Sequence, residues 1–157
     1  MEISPAFYTL KLIDFGMAKE QAWETKDMTN QVGSLYYRAP ELLNGEKRYT
    51  SKIDLWSLGC VFYFMQTGAT LFKGHSEIDQ FRKIVTILGA DSTQVKNQKI
   101  KDALIKLNME NVPENWSLIE KQINEIELDF LKRMVVLEPE KRHSYKELLM
   151  HPYLRDD

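Results

Sequence analysis

The apolar run Leu55–Met65 constrains the fold more than any other feature of this sequence. Only Ser57 and Gly59 interrupt it. The run is too short to span a bilayer, which needs about 20 apolar residues in a helix. Ser51 can cap a helix that begins just before the run, and this helix carries apolar residues on nearly every face. We therefore predict a buried helix at the centre of the core.

The composition excludes several classes of protein. With 43% apolar and 28% charged residues, the 157-residue chain can build one domain-sized core and is too hydrophobic for a disordered tail. Its 21 basic and 23 acidic residues give no strong electrostatic reason to bind nucleic acid or an anionic membrane. The single cysteine, Cys60, excludes an internal disulfide and suits a reducing compartment. Because no signal-peptide pattern opens the chain, we expect an intracellular protein of the cytoplasm or nucleus.

Helical patterns dominate the rest of the chain. Residues 7–13 are rich in aromatic and β-branched side chains and predict one short strand, whereas residues 17–49 hold no period for long. Ser76 begins a capping pattern, and Gly89 lies where a C-terminal cap belongs. Apolar residues at helical spacing predict helices over residues 50–66, 78–88, 100–107 and 126–135, and a short one from Ser144. The prediction is a mainly α fold with a short β vestige at the N-terminus.

Four short motifs follow one another along the chain. Asp14-Phe15-Gly16 ends the predicted strand, and Ala39-Pro40-Glu41 closes the long loop. Asp54-Leu55-Trp56-Ser57-Leu58-Gly59 opens the apolar helix, and Pro139-Glu140-Lys141-Arg142 precedes His151-Pro152. In this order the motifs resemble the large, C-terminal lobe of a eukaryotic protein kinase over nearly the whole chain. The resemblance implies a partial kinase domain over residues 1–157, with an activation segment at 14–41 and a helical lobe at 50–154.

Two further features resemble the cyclin-dependent kinases and the related proline-directed kinases. Arg38 stands directly before the Ala-Pro-Glu motif, and residues 71–80 are similar to the segment that leads into the next helix in that group. The interval between Gly89 and Pro139 leaves no room for the insert typical of mitogen-activated kinases. We therefore place the chain nearer the cyclin-dependent kinases, and a cyclin-like partner is left open.

The resemblance implies phosphorylation of serine and threonine in protein substrates, with ATP and Mg²⁺ as cofactors. Phosphoryl transfer concentrates negative charge on the γ-phosphoryl oxygens, so a carboxylate must hold Mg²⁺ against them. Asp14 matches that carboxylate. Phe15 is expected to pack beneath the site, and Gly16 is expected to allow a sharp backbone turn.

The activation segment also contains a candidate phosphorylation site. Thr29 matches the regulatory phosphothreonine of this group, and Thr25 is a nearby alternative. Phosphorylation adds a charge of about −1.5 to −2, which can order the loop against basic side chains. Lys19 matches the position at which many relatives use an arginine for that pairing, and a lysine cannot make the same bidentate contact.

The end of the activation segment matches the floor of the substrate site. The matching residues are Gly33, Ser34, Tyr37 and Arg38. Ser34 matches the small hydroxyl residue that meets the catalytic loop in serine/threonine kinases. Gly33 replaces a larger residue that is common in proline-directed kinases, which leaves open whether proline is preferred after the acceptor.

Four residues are expected to hold the lobe together. Glu41 and Arg142 match a buried ion pair that anchors the end of the activation segment to a late helix. Asp54 matches the aspartate at a helix start that holds the backbone of the catalytic loop. Trp56 is expected in the core, as is Phe64 of the same helix.

Missing motifs decide the expected activity. The 157 residues contain no Gly-rich loop, no phosphate-binding lysine of the small lobe and no His-Arg-Asp motif with the catalytic base. We therefore expect the chain by itself to be inactive, and to be a fragment or a sequence that starts at an internal methionine of a longer reading frame. The alternative is a non-catalytic lobe that binds a regulatory protein through its activation segment and the helix from Ser76 to Leu88.

Overall fold

The computed structural model describes residues 11–18 and 33–155, and these residues are mainly helical. The α-helices are α1 (Pro40–Leu43), α2 (Lys52–Thr67), α3 (Glu77–Leu88), α4 (Gln98–Lys106), α5 (Glu125–Met134) and α6 (Tyr145–Leu149). Two short strands, β1 (Ala90–Asp91) and β2 (Asn111–Val112), pair antiparallel, with Ala90 opposite Val112. None of the described helices is long and apolar enough to cross a membrane. The predicted mainly α fold is confirmed.

The β structure of the described residues lies elsewhere than predicted. Most of the strand predicted at residues 7–13 falls outside the described residues, and residues 11–13 form no strand. β1 follows α3, and β2 follows α4. Each strand has two residues, which is too short for an alternating pattern to show in the sequence. Gly89 permits their close approach to α3, because a Cβ there would lie 2.8 Å from the carbonyl oxygen of Val112.

α2 lies at the centre of the core, as predicted. Trp56 is 0% exposed, and its ring stacks on Phe72 at a centroid distance of 5.6 Å. Gly59 lets the end of α5 approach α2, because a Cβ at this position would lie 2.5 Å from Cγ2 of Val135. α2 and α5 therefore form a closely packed pair in the core.

The prediction that α2 is buried on nearly every face is wrong for one side of the helix. Leu58, Val61 and Met65 are exposed at helical spacing, and we call these three residues the apolar stripe of α2. Phe64, which was expected in the core, is 45% exposed. The described elements α5 and residues 35–37 pack on other sides of the helix. An apolar sequence shows that a face can be buried, but the neighbouring elements decide whether it is.

Side chains cap four of the described α-helices at their N-termini, namely α3, α4, α5 and α6. Ser76 caps α3 through its Oγ, and Gly89 ends that helix with a φ of +71°, both as predicted. Ser144 forms the predicted capping box of α6. Asn124 forms a further capping box at α5, which was not predicted. Ile126, expected on the buried side of α5, is exposed because it lies in the first turn, beyond the packed part of the helix.

Candidate functional site

Residues 33–38 form a short segment that packs against α2 and α3, and we call it the floor segment. Gly33 has a φ of +77°, a left-handed conformation that other L-residues rarely adopt. Ser34 is extended, and Leu35–Tyr37 form a 3-10 turn. Within that turn the N–H of Tyr37 donates to the carbonyl oxygen of Ser34 at 3.0 Å. The floor segment is therefore bent at both ends rather than extended throughout.

Arg38 connects the start of the floor segment to α3. Its Nη2 donates to the carbonyl oxygen of Gly33 at 3.0 Å, and its Nη1 donates to Oε1 of Glu77 at 2.6 Å. The side chain of Arg38 is 13% exposed, so its guanidinium is largely shielded from solvent. Its Nε is buried and has no hydrogen-bond partner among the described residues. The carbonyl oxygen of Gly33 thus faces a positive charge within the protein.

α2 holds the floor segment from a second direction. Oγ of Ser57 donates to the carbonyl oxygen of Tyr37 at 2.9 Å, and the Tyr37 side chain packs against the core. Ser34, matched to the residue that meets the catalytic loop, is exposed and makes no capping hydrogen bond. The structure therefore joins Gly33, Tyr37 and Arg38 to the two helices and leaves Ser34 at the surface.

Glu41 and Arg142 form a bidentate ion pair in the core, and it fixes the chain directly after the floor segment. Nη1 and Nη2 of Arg142 donate to Oε1 and Oε2 of Glu41 at 2.7 and 2.6 Å, and the two side chains are 0% and 2% exposed. Arg142 also donates to the carbonyl oxygens of Val136 and Lys52. Its guanidinium lies 5.1 Å from the ring centroid of Trp56. These bonds meet the condition under which a buried ion pair is tolerated, since every polar group has partners.

Asp54 lies in the first turn of α2 at the surface. The surrounding protein partly removes water from its carboxylate and raises the pKa above the ordinary value of 3.8. The charge of Asp54 adds to desolvation in raising the pKa of Tyr49 and Tyr145. A raised pKa means that folding disfavours the charged carboxylate. The role of Asp54 in holding the catalytic loop stays a prediction.

Asp14, Phe15 and Gly16 lie in the separate described range 11–18. Asp14 has a φ of 60°, and its Oδ1 accepts a hydrogen bond from the N–H of Gly16 at 3.3 Å. The sharp turn expected at Gly16 therefore occurs at Asp14, whose side chain caps the 3-10 turn that follows. Phe15, expected to pack beneath the site, is 67% exposed because no described residue covers it.

The carboxylate of Asp14 is exposed and fits one position in the shell of a Mg²⁺ ion. Mg²⁺ takes oxygen ligands and is commonly held by one or two carboxylates together with substrate phosphates and water. Within residues 11–18 and 33–155, no group of three His, Cys, Asp or Glu side chains could hold a metal ion. Asp14 alone therefore does not make a metal site within the described residues, and its role as a Mg²⁺ ligand stays a prediction.

Two residues of α3 belong to this site although the sequence did not single them out. Gln80 is 0% exposed, and a glutamine on the apolar side of a helix is a signal that could have identified it. Glu77 is one of several charged residues around the start of α3, so no pattern distinguishes it. Thr29 and Lys19 lie outside the described residues, and their pairing stays a prediction.

Comparison with known proteins agrees with the geometry. The family model described as the protein kinase domain matches residues 3–154. Mitogen-activated protein kinase 12 of Mus musculus is 37% identical over 154 residues, which cover 94% of this chain and 41% of that protein. The same kinase of Rattus norvegicus is 36% identical, with the same coverage. The chain thus spans less than half the length of these relatives, and its placement nearer the cyclin-dependent kinases stays a prediction. With a family match over almost its whole length, the chain belongs to the protein kinase domain family.

Proposed function

We propose that this chain is part of an ATP-dependent serine/threonine protein kinase, and that the floor segment binds the substrate peptide just after the acceptor residue. The protein kinase domain match and the similarity to mitogen-activated protein kinase 12 support a kinase of this class. The Glu41–Arg142 pair supports the role of the floor segment, because it fixes the chain immediately after that segment.

The contact between Arg38 and Gly33 is the observation that carries the proposal. An extended peptide offers its N–H groups to backbone carbonyl oxygens. The oxygen of Gly33 already accepts a hydrogen bond from a charged group, so it is a poor acceptor for a second N–H. Leaving a desolvated N–H without a partner costs about 1–3 kcal/mol. Because proline has no N–H, a substrate with proline directly after the serine or threonine avoids this cost.

Asp14 has the chemistry for the metal-binding part of this function. Bound Mg²⁺ neutralises charge on the phosphate oxygens during phosphoryl transfer. Asp14 is held by its capping bond to Gly16 and presents an exposed carboxylate. We therefore assign Asp14 to Mg²⁺·ATP and the floor segment to the peptide.

Matched peptides test the proposal directly. Two fluorescent peptides that differ only in proline or alanine after a central serine are titrated with the chain, and fluorescence anisotropy gives the two affinities. We expect the Ser-Pro peptide to bind about fivefold more tightly or better, the equivalent of about 1 kcal/mol. Arg38→Lys cannot bond to Gly33 and Glu77 through two separate nitrogens and should bring the ratio of the two affinities close to one. Arg155→Lys at the surface should leave this ratio unchanged. Equal affinities for the unaltered chain would contradict the proposal.

The apolar stripe of α2 favours a second candidate, a non-catalytic binding module. The two functions differ in phosphoryl transfer by the whole protein, so for these 157 residues only a positive result separates them. The 157 residues contain no His-Arg-Asp motif, so we expect no phosphopeptide when the chain is mixed with Mg²⁺·ATP and the Ser-Pro peptide. Asp14→Asn serves as the matched control. Phosphopeptide detected by mass spectrometry and lost in Asp14→Asn would overturn this expectation and exclude the binding module.

A further inference from the structure

Gln80 is a buried amide that joins α3 to the floor segment. Its Nε2 donates to the carbonyl oxygens of Tyr36 at 3.3 Å and Phe72 at 3.1 Å, and its Oε1 accepts from the N–H of Gly74 at 2.7 Å. Since two of the partners are acceptors and one is a donor, this is the only amide orientation that satisfies all three. The side chain is 0% exposed, so water cannot replace a lost partner.

The backbone around Gln80 is packed to keep these bonds in place. A Cβ on Gly74 would lie 2.4 Å from the backbone nitrogen of Gln80. Glu77 lies three residues before Gln80 on α3, a spacing that puts both side chains on one side of the helix. Glu77 pairs with Arg38, and Gln80 bonds to Tyr36. α3 therefore contacts the floor segment at two points from one face.

We propose that Gln80 and Glu77 are positioning residues, through which the first turns of α3 set the conformation of the floor segment. Gln80 holds the Tyr36 carbonyl within the 3-10 turn, and Arg38 follows two residues later. Glu77 neutralises Arg38 and leaves its Nη2 directed at the carbonyl of Gly33. Loss of either contact frees that carbonyl to accept a substrate N–H. The consequence for substrate choice rests on the proposed function, whereas the control of conformation does not.

Hydrogen exchange measures the conformational part without a substrate. Gln80→Met keeps the volume and removes the three bonds, and Glu77→Ala removes the ion pair of a half-exposed side chain with Arg38. We expect exchange at the amides of Tyr37 and Arg38 to become about tenfold faster in each variant. Thr86→Val, which removes an exposed hydroxyl bond within α3, is the matched control and should change neither amide. Unchanged rates at both amides, or an equal rise at Val135 after α5, would overturn the proposal.

The peptide ratio measures the consequence for substrate choice. In the unaltered chain, the Ser-Pro to Ser-Ala affinity ratio reports the proposed function alone. If that ratio exceeds one, Gln80→Met and Glu77→Ala should each lower it severalfold, and Glu77→Gln, which keeps an acceptor for Arg38, should restore part of it. A ratio of one in the unaltered chain would contradict the proposed function. The hydrogen-exchange rates would still test whether α3 sets the conformation of the floor segment. A preserved high ratio in both variants would overturn the role of α3 in selectivity.

Discussion

Gly33 adopts its left-handed conformation where, within residues 11–18 and 33–155, no atom lies within 4 Å of the place that a Cβ would occupy. An alanine there meets no clash with these residues, and its backbone conformation disfavours it by about 1–2 kcal/mol. We predict that Gly33→Ala lowers the free energy of unfolding by about that amount and reduces the preference for Ser-Pro peptides. Denaturant unfolding and fluorescence anisotropy measure the two effects.

Gly68 offers a matched control for this change. Its φ is +69°, and no atom of the described residues lies within 4 Å of its Cβ position either, but it ends α2 far from the floor segment in the sequence. Gly68→Ala should cost a similar free energy of unfolding and leave the peptide ratio unchanged. If the Ser-Pro to Ser-Ala affinity ratio falls to one in both variants, general destabilisation determines the peptide preference, and the direction of the Gly33 carbonyl does not.

Variants of the Glu41–Arg142 pair measure how much one buried charge contributes to the free energy of unfolding. Removing one partner of a buried pair strands the other and typically costs about 3–5 kcal/mol. We predict a loss of that size in the free energy of unfolding for Arg142→Met, measured by denaturant unfolding. Arg155→Met at the surface should change it by less than about 0.5 kcal/mol.

A second variant distinguishes a stranded charge from lost packing. Adding Glu41→Gln to Arg142→Met removes the isolated carboxylate and should recover part of the loss. A double variant as unstable as the sum of its single variants would contradict this account of the pair.

Single residues differ in how well the sequence revealed them. Glu41 and Arg142 stand in motifs whose resemblance to kinases implied a pairing 101 residues apart in the chain. A sharp backbone turn was expected at Gly16, whereas the left-handed residue is Asp14, because a side-chain cap can stabilise that conformation in an aspartate. The bonds of Gln80 depend on a loop that packs against α3, and no spacing in the sequence specifies such a contact.

At the scale of elements, α2 shows that an apolar sequence overstates burial. Phe62 is buried and packs edge-on against Phe130 of α5 at 5.3 Å, whereas Phe64 is 45% exposed. We predict that Phe62→Ala costs about 3–5 kcal/mol in the free energy of unfolding and that Phe64→Ser changes it by less than about 0.5 kcal/mol. Thermal and denaturant unfolding of the two variants compare them. A large loss for Phe64→Ser would mean that another part of the protein covers this face.

A hydrogen bond between two titratable side chains, His151 and Asp129, joins the C-terminal turn at residues 152–154 to α5. Nε2 of His151 lies 2.7 Å from Oδ2 of Asp129, and the hydrogen bond with His151, together with Arg133, holds the pKa of Asp129 below its ordinary value of 3.8. A lowered pKa in the folded state adds stability above the ordinary value, and this stability is lost as the pH falls through the lowered pKa.

Asp129→Asn should therefore be less stable than the unaltered chain at pH 7. The difference should be below about 1 kcal/mol, because the carboxylate is half exposed and solvent screens it. It should vanish as the pH falls well below 3.8, as followed by unfolding at a series of pH values. Asp102→Asn on the surface of α4 is the control. A difference that grows toward low pH would contradict the assigned contact.

The helices were largely predictable, because apolar residues recur in the sequence at helical spacing. α3 and α6 begin at the predicted serine caps, and Gly89 ends α3 where it was expected. β1 and β2 were missed because two residues cannot show a period. The floor segment was placed through its resemblance to kinases, and its contacts with α2 and α3 are tertiary.

At the scale of the whole molecule, α2 and α3 hold the floor segment while the Glu41–Arg142 pair fixes the chain that follows it. The same α2 leaves its apolar stripe exposed, so one helix both organises the core and presents a surface. We infer that these contacts position residues 33–38 to bind a substrate peptide.

An NMR titration of the isotope-labelled chain with the Ser-Pro peptide tests that claim most directly. We expect the amide shifts of Gly33, Ser34 and Arg38 to change, and the changes to be smaller with the matched Ser-Ala peptide. Shifts confined to the apolar stripe of α2, or the same shifts with both peptides, would contradict it.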